Sequence, residues 1–248
     1  MTTFRPKLWT ASIAVLLAAT ACSAEGGEAG EKGEATPAAA VGEGGEGGNE
    51  GGAGAGEAGA RSAYAAVPAE SRVALRLAHL KGFLLIARKQ TDGADAAAAL
   101  VGQGMAEVYD AQPGAFQSAG LDKAVLDKAA QTGAPADIDA ALKAIDAAQG
   151  KAKGDSAAVV KGLTDISGGL YQGVIADGAV DPIEYQHAYG AALAAQQAAA
   201  ASSDPRVKAA KSDVDALVAM FPAPSAPEKP TPVSQVAAQA SRIELALS

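Results

Sequence analysis

The chain is short of the residues on which most protein chemistry depends. Of its 248 residues, one is cysteine and two are histidine. A single cysteine excludes an intramolecular disulfide, a cysteine-based zinc site, a thiol relay and the paired cysteines of haem attachment. Two histidines and no second thiol leave little for a nucleophile–base set. There is no Gly-x-x-x-x-Gly-Lys phosphate loop and no dinucleotide fingerprint after a strand. Carboxylate pairs are always available among 28 Asp and Glu residues, so they do not by themselves point to glycoside chemistry. Aromatic residues make up only 4%, and no alternating run is long enough to read as a strand. Basic residues are outnumbered, 20 against 28 acidic ones. The imbalance is local, because Ser23 to Ala60 holds eight Glu and one Lys. From Arg61 onward the net charge is only −3. Without a basic stripe, nucleic acid is not an implied partner.

What is present begins at the N-terminus. Arg5 and Lys7 precede a compact apolar run, Leu8 to Ala18, and small residues lead into Ala19-Thr20-Ala21-Cys22. This is the layout of a secretory signal, and the run is too short to serve comfortably as a transmembrane anchor. The cysteine after small residues resembles the lipobox of bacterial lipoproteins. That resemblance implies removal of residues 1–21, acylation of Cys22 and attachment to a membrane of the cell envelope through the N-terminal lipid. Ser23 in place of Asp after the cysteine implies sorting to the outer membrane, with the protein facing the periplasm. The alternative is an ordinary signal peptide cut near Ala21.

Residues 22–65 are Gly/Glu/Ala-rich and lack hydrophobic periodicity over most of their length. Such a segment buries too little apolar surface to offset the entropy of ordering, so it is expected to be a disordered acidic tether. From residue 66 to 248 the pattern is helical. Val73, Leu77, Leu80 and Leu84 form one stripe at helical spacing; Val159, Leu163, Ile166, Leu170 and Val174 form another. Two further stripes run through Val207, Val214 and Leu217, and through Val236, Ile243 and Leu247. Asp181-Pro182, Asp204-Pro205 and Thr231-Pro232 read as cap-plus-proline starts. The spacing predicts helices near 67–91, 94–109, 119–131, 136–149, 155–176, 182–201, 205–221 and 233–247, with 222–232 as a Pro-rich connector. Alanine-rich, aromatic-poor helices suit close packing, and the expected fold is an all-α, largely antiparallel bundle.

The most unusual stretch is Tyr171 to Tyr189, with three of the five tyrosines and one of the two histidines. Asp177 and Asp181 flank a Gly turn, and Glu184 and His187 lie three apart on one helix face. Carboxylate and imidazole at that spacing are used by carboxylate-bridged iron sites in helical bundles, so Asp177, Asp181, Glu184 and His187 are candidate ligands for iron or another divalent metal. The competing reading is a helix cap with His187 on the helix surface. The pattern Tyr171-x-x-x-Ile175-x-Asp177-Gly178-x-Val180-x-x-x-Glu184-Tyr185-x-x-x-Tyr189 resembles a motif in periplasmic helical modules associated with bacterial high-affinity iron permeases. A second stretch, His79 to Phe83 with Met105 to Tyr109, is faintly similar to imelysin-type metal-uptake proteins. Those carry His-x-x-Glu, whereas Gly82 stands at the fourth position here; His79 alone reads as a packed or half-exposed histidine.

Two function classes lead, neither of them enzymatic, with an enzyme as the third alternative. One is a metal-handling accessory; its ligands should converge with further carboxylates such as Glu107 in one polar pocket. The other is a docking module for an envelope or transporter complex; it should scatter those residues and expose a broad apolar face.

Overall fold

The computed structural model describes residues 55–248 apart from Asp177, with side chains from residue 60 onward. Residues 1–54, including the signal segment and Cys22, lie outside the described residues. The fold is all-α. The helices are α1 (Ala55–Ala66), α2 (Arg72–Lys89), α3 (Ala94–Gly104), α4 (Pro113–Ser118), α5 (Lys123–Thr132), α6 (Pro135–Gln149), α7 (Ser156–Tyr171), α8 (Pro182–Ala201), α9 (Pro205–Ala219) and α10 (Val233–Ala246). A two-stranded antiparallel hairpin, β1 (Ile175–Ala176) and β2 (Ala179–Val180), joins α7 to α8. Among the described residues no helix is long and apolar enough to cross a membrane.

The helices α7, α8 and α2 form the centre. The most extensive contacts are α7 on α8, α2 on α8 and α1 on α7. Outer helices cover this centre, with α3 and α6 on α2, α9 on α8, and α10 across α7 and α9. Where α2 crosses α8, glycine faces glycine. A Cβ built on Gly82 would lie 2.6 Å from the carbonyl oxygen of Gly190, and one on Gly190 would lie 2.8 Å from that of Gly82. Backbone therefore rests on backbone, and no side chain can be added at either position without moving a helix.

Aspartates start the main helices. Asp122, Asp155, Asp181 and Asp204 each accept a hydrogen bond from a backbone N–H two residues on, which satisfies one of the first-turn donors. Proline at the first helical position of α8 and α9 fits, because its missing N–H would have had no partner there. Thr231-Pro232 behaves differently from the expected cap. The Thr231 hydroxyl donates to the Met220 carbonyl at 2.7 Å, tying the connector to the end of α9.

Several boundaries differ from the sequence expectation. Helix α1 begins inside the segment read as tether. Ala60, Ala63, Tyr64 and Val67 recur at helical spacing, and Ala63 and Val67 are buried; the glycines around them hide that short stripe. The helix expected over 94–109 ends at Gly104 and continues as a π-helical turn, Met105–Tyr109, closed by Asp110 N–H donating to Met105 C=O at 2.8 Å. The helix expected over 155–176 stops at Tyr171, where the hairpin takes over with Gly178 at φ +79°. Strands of two residues are too short to leave a periodic signal. A short helix, α4, occupies Pro113–Ser118, ahead of the one expected from 119.

The last helix belongs to the bundle. Val236, Ile243 and Leu247 are buried, and Gln239 Nε2 donates to the Asp213 carbonyl at 2.8 Å. The connector is held by tyrosines: Tyr185 O–H donates to Ala223 C=O at 3.0 Å and Tyr171 O–H to Thr231 C=O at 2.9 Å. Phe221 stacks on Tyr189, with ring centres 5.0 Å apart.

Candidate functional site

Of the four residues singled out by sequence, the structure describes three: Asp181, Glu184 and His187. Asp177 lies outside the described residues. Asp181 is the cap of α8, with Oδ1 accepting from the N–H groups of Ile183 at 2.8 Å and Glu184 at 3.2 Å. Its own N–H goes to the Val174 carbonyl at 2.8 Å. Glu184 lies against the backbone at Gly173. His187 points the other way in function, into the interior, and is only 6% exposed. Among the described residues no group of three or more His, Cys, Asp or Glu side chains is placed to hold a metal ion. Glu184 and His187 are three apart on α8, yet Glu184 lies against Gly173 at the end of α7 while His187 reaches Gln103 of α3.

Both histidines of the chain instead flank one phenylalanine. His79 and Phe83 are four apart on α2, and His187 approaches from α8. The Phe83 ring centre lies 5.4 Å from that of His79 and 4.7 Å from that of His187. Gly104 makes room, since a Cβ there would come within 2.6 Å of Phe83 Cβ. Gln103 and the π-helical turn close the arrangement. His187 Nε2 donates to Gln103 Oε1 at 3.1 Å, and His187 Nδ1 lies 3.6 Å from Glu107 Oε2. The wide i→i+5 turn sets where Glu107 stands; π-bulges are frequent at functional sites.

Burial holds both imidazoles neutral. His187 is lowered to about 4 by desolvation, with Asp181 opposing. His79 is lowered to about 3, first by desolvation and then by the nearby His187 and Arg76. The His187–Glu107 contact is therefore no ion pair at neutral pH. At His79, the partner is Tyr64 of α1, whose hydroxyl lies 2.6 Å from Nδ1. Burial pushes the Tyr64 phenol well above its ordinary value. The phenol keeps its proton at neutral pH, and the Tyr64 hydroxyl and Nδ1 share one short hydrogen bond. His79 Nε2 is buried and has no hydrogen-bond partner. The Arg76 guanidinium lies 4.2 Å above the Tyr64 ring.

A cavity of about 260 Å³ opens beside this group, lined by Arg61, Tyr64, Arg76, His79 and Glu107 and, on its apolar side, by Ala60, Val108, Ala111 and Leu170. It presents hydrogen-bond donors, one carboxylate and an apolar wall, and it contains no nucleophile. Sequence reasoning set the His79 and Glu107 segments side by side and named Glu107 as a carboxylate to join His187, which lies 3.6 Å from it, but had no means of joining them to Tyr64 or Arg76. The available signal was the chain's own scarcity, with both histidines at positions flanked by apolar residues. No family model, curated protein or solved structure matches the chain, so the site stands on its geometry alone.

Proposed function

We propose that this protein is a lipid-anchored component of the bacterial cell envelope that acts by binding a ligand in the histidine cleft, and not as an enzyme. In this reading Cys22 carries the lipid at the outer membrane, and the acidic segment after it holds the bundle away from the anionic surface. The observation that carries the binding role is His79. Its imidazole is 4% exposed, its Nε2 has no hydrogen-bond partner, and the residue lines a cavity. A buried polar atom left unsatisfied costs about 1–3 kcal/mol, a cost that a ligand bonding to it would remove. The test is the double variant Tyr64→Phe, His79→Leu. Replacing both partners of a buried pair by apolar groups is nearly neutral or stabilising when the pair serves no structural need. An unchanged or raised Tm supports the reading; a loss above about 2 kcal/mol makes the pair structural and ends it.

Metal handling is the second reading, favoured by one contact. A 3.6 Å separation of His187 Nδ1 and Glu107 Oε2 matches two ligands of one ion at bond lengths of about 2.0–2.2 Å. The described residues supply only that pair, so further ligands would come with the metal. Calorimetric titration with ferrous, ferric, cupric and zinc ions tests it. Binding lost in Glu107→Gln and His187→Ala supports an iron or divalent-metal accessory, and no binding by the native chain removes it. Docking on an envelope transporter has less support. The exposed large apolar side chains among the described residues are Ile175 (44%), Ile183 (48%) and Leu245 (78%), too few for a broad apolar face.

A further inference from the structure

We propose that a proton shared between Asp165 of α7 and Glu244 of α10 seats the last two turns of α10, and that these turns loosen when the proton leaves for solvent as the pH rises. Asp165 and Glu244 lie on packed helices with one lysine between them. Lys161 Nζ is 3.1 Å from Asp165 Oδ2 and 3.8 Å from Glu244 Oε2. Lys161 and Asp165 are four apart on α7, the spacing of an intrahelical ion pair. One ammonium therefore stands against two carboxylates, and one negative charge is left uncompensated when both are ionised. The Asp165 side chain is mostly withdrawn from water, at 19% exposed. Its Oδ1 is buried and has no hydrogen-bond partner among the described residues, which is unusual for a buried polar atom. A protonated Glu244 carboxyl is a donor beside Asp165. With that proton in place the carboxyl is neutral, Asp165 and Lys161 cancel, and the triad carries no net charge.

The direction of titration agrees with this geometry. Burial, then the charge of Asp165 and a hydrogen bond with it, raise the Glu244 carboxyl above its ordinary range, and Lys161 opposes them. Helix α1 faces the pair with Ser62, Ala63 and Ala66, across a cavity of about 280 Å³ that Asp165 and Glu244 also line. On α9, Asp213 accepts from Gln239 and Lys211 pairs with Asp215. On α10, Arg242 is exposed and lies two residues from Glu244, on a different face. A carboxyl raised in the fold keeps its proton where the unfolded chain has lost it. The seating is therefore complete at acid pH and is lost as the pH rises through the raised value. The first half of α10 is held independently, by burial of Val236 and by Gln239 on Asp213. The contacts that loosen are those of the end of the helix, where Ile243 and Leu247 are buried.

The experiment follows the full chain from about pH 5 to about pH 8. It reads the side-chain carboxyl carbon resonance of Glu244 and the amide-exchange protection factors of residues 240–246. The Glu244 resonance should titrate above the ordinary carboxylate range, and the protection should fall at least about threefold between the two ends. Glu244→Gln places a permanently neutral donor beside Asp165. It should hold the protection of the acid form at about pH 8 and remove the dependence. Lys161→Gln should move the Glu244 titration upward, because the ammonium favours the ionised pair. The two buried histidines respond to pH in the opposite sense, so each variant is compared with the native chain at the same pH. The proposal is overturned if Glu244 titrates in the ordinary range or if the protection of these residues does not change with pH. It is equally overturned if Glu244→Gln follows the native decline, or if Lys161→Gln leaves the titration unmoved or lowers it.

Discussion

The molecule holds two aromatic clusters of similar composition and opposite character. One gathers Tyr171, Tyr185, Tyr189 and Phe221 where α7, α8 and α9 meet the Pro-rich connector; the other gathers Tyr64, His79, Phe83 and His187 between α1, α2 and α8. In the first, the hydroxyls of Tyr171 and Tyr185 end on connector carbonyls. Each polar tip there closes a contact that the fold needs in order to bring α10 back onto α7. In the second, Nε2 of the buried His79 imidazole has no hydrogen-bond partner and a cavity adjoins the residue. Buried polar groups in stable cores are almost always satisfied, so the tyrosine cluster reads as architecture and the histidine cluster as a site. The difference also explains why the Tyr171–Tyr189 motif, the most conspicuous stretch of the sequence, turns out to be a cap, a hairpin and a connector clamp.

Acidification should break the two clusters apart most strongly. Both histidines are held neutral in the fold, to about 4 and about 3, whereas in the unfolded chain they take up protons near pH 6.5. The native state lacks those protons, so the stability they contribute is complete above about pH 6.5 and declines as the pH falls towards 4. Each should cost about 2 kcal/mol between about pH 7.5 and 5, measured by urea denaturation at the two pH values. His187→Gln should remove about half of that slope, and Tyr171→Phe none. A slope unaffected by His187→Gln would mean that the imidazole is hydrated in solution.

Next in size is Gly82→Ala. The added methyl meets the Gly190 carbonyl, and overpacking of this kind costs about 1–3 kcal/mol. Because α2 carries His79 and Phe83, the loss should be accompanied by a change in the His79 and His187 resonances, with the Tyr171 and Tyr185 signals unmoved. An alanine tolerated without loss of Tm would show that α2 and α8 can separate freely. The smallest effect is expected from Tyr185→Phe, about 0.5–1.5 kcal/mol for one hydrogen bond. It should appear as faster amide exchange in residues 222–232 and α10, leaving the histidine region protected. Equal exchange in both regions would dissolve the distinction between them.

Much of the helix pattern was legible in the sequence. Proline after aspartate marked the starts of α8 and α9, and the stripes through Val159–Leu170 and Val207–Leu217 became buried faces. These features are local: a cap needs an oxygen two residues from a donor, and a stripe needs only a period. The misses are those where the local pattern was too short or interrupted. Ala60–Val67 was masked by glycine, the hairpin occupied two residues per strand, and the π-helical turn differs from an α-helix by one residue in its hydrogen-bond span. The candidate site was legible only in its parts. His187, Glu107 and His79 each drew notice, but spacing along one helix grouped His187 with Asp181, whose side chain caps the start of α8, and with Glu184, whose side chain lies against Gly173.

By itself, the sequence determined the helical class, the caps and turns, the acidic character confined to residues before the bundle, and the poverty of catalytic groups, because composition and short-range hydrogen bonding decide those. Only the tertiary structure decided which helices touch through Gly82 and Gly190, and that contact places residues from α1, α2, α3 and α8 around Phe83. Burial then neutralised the two histidines and left Nε2 of His79 without a hydrogen-bond partner. Desolvation and missing partners are properties of the packed interior, where groups more than a hundred residues apart in the chain share one low-dielectric environment.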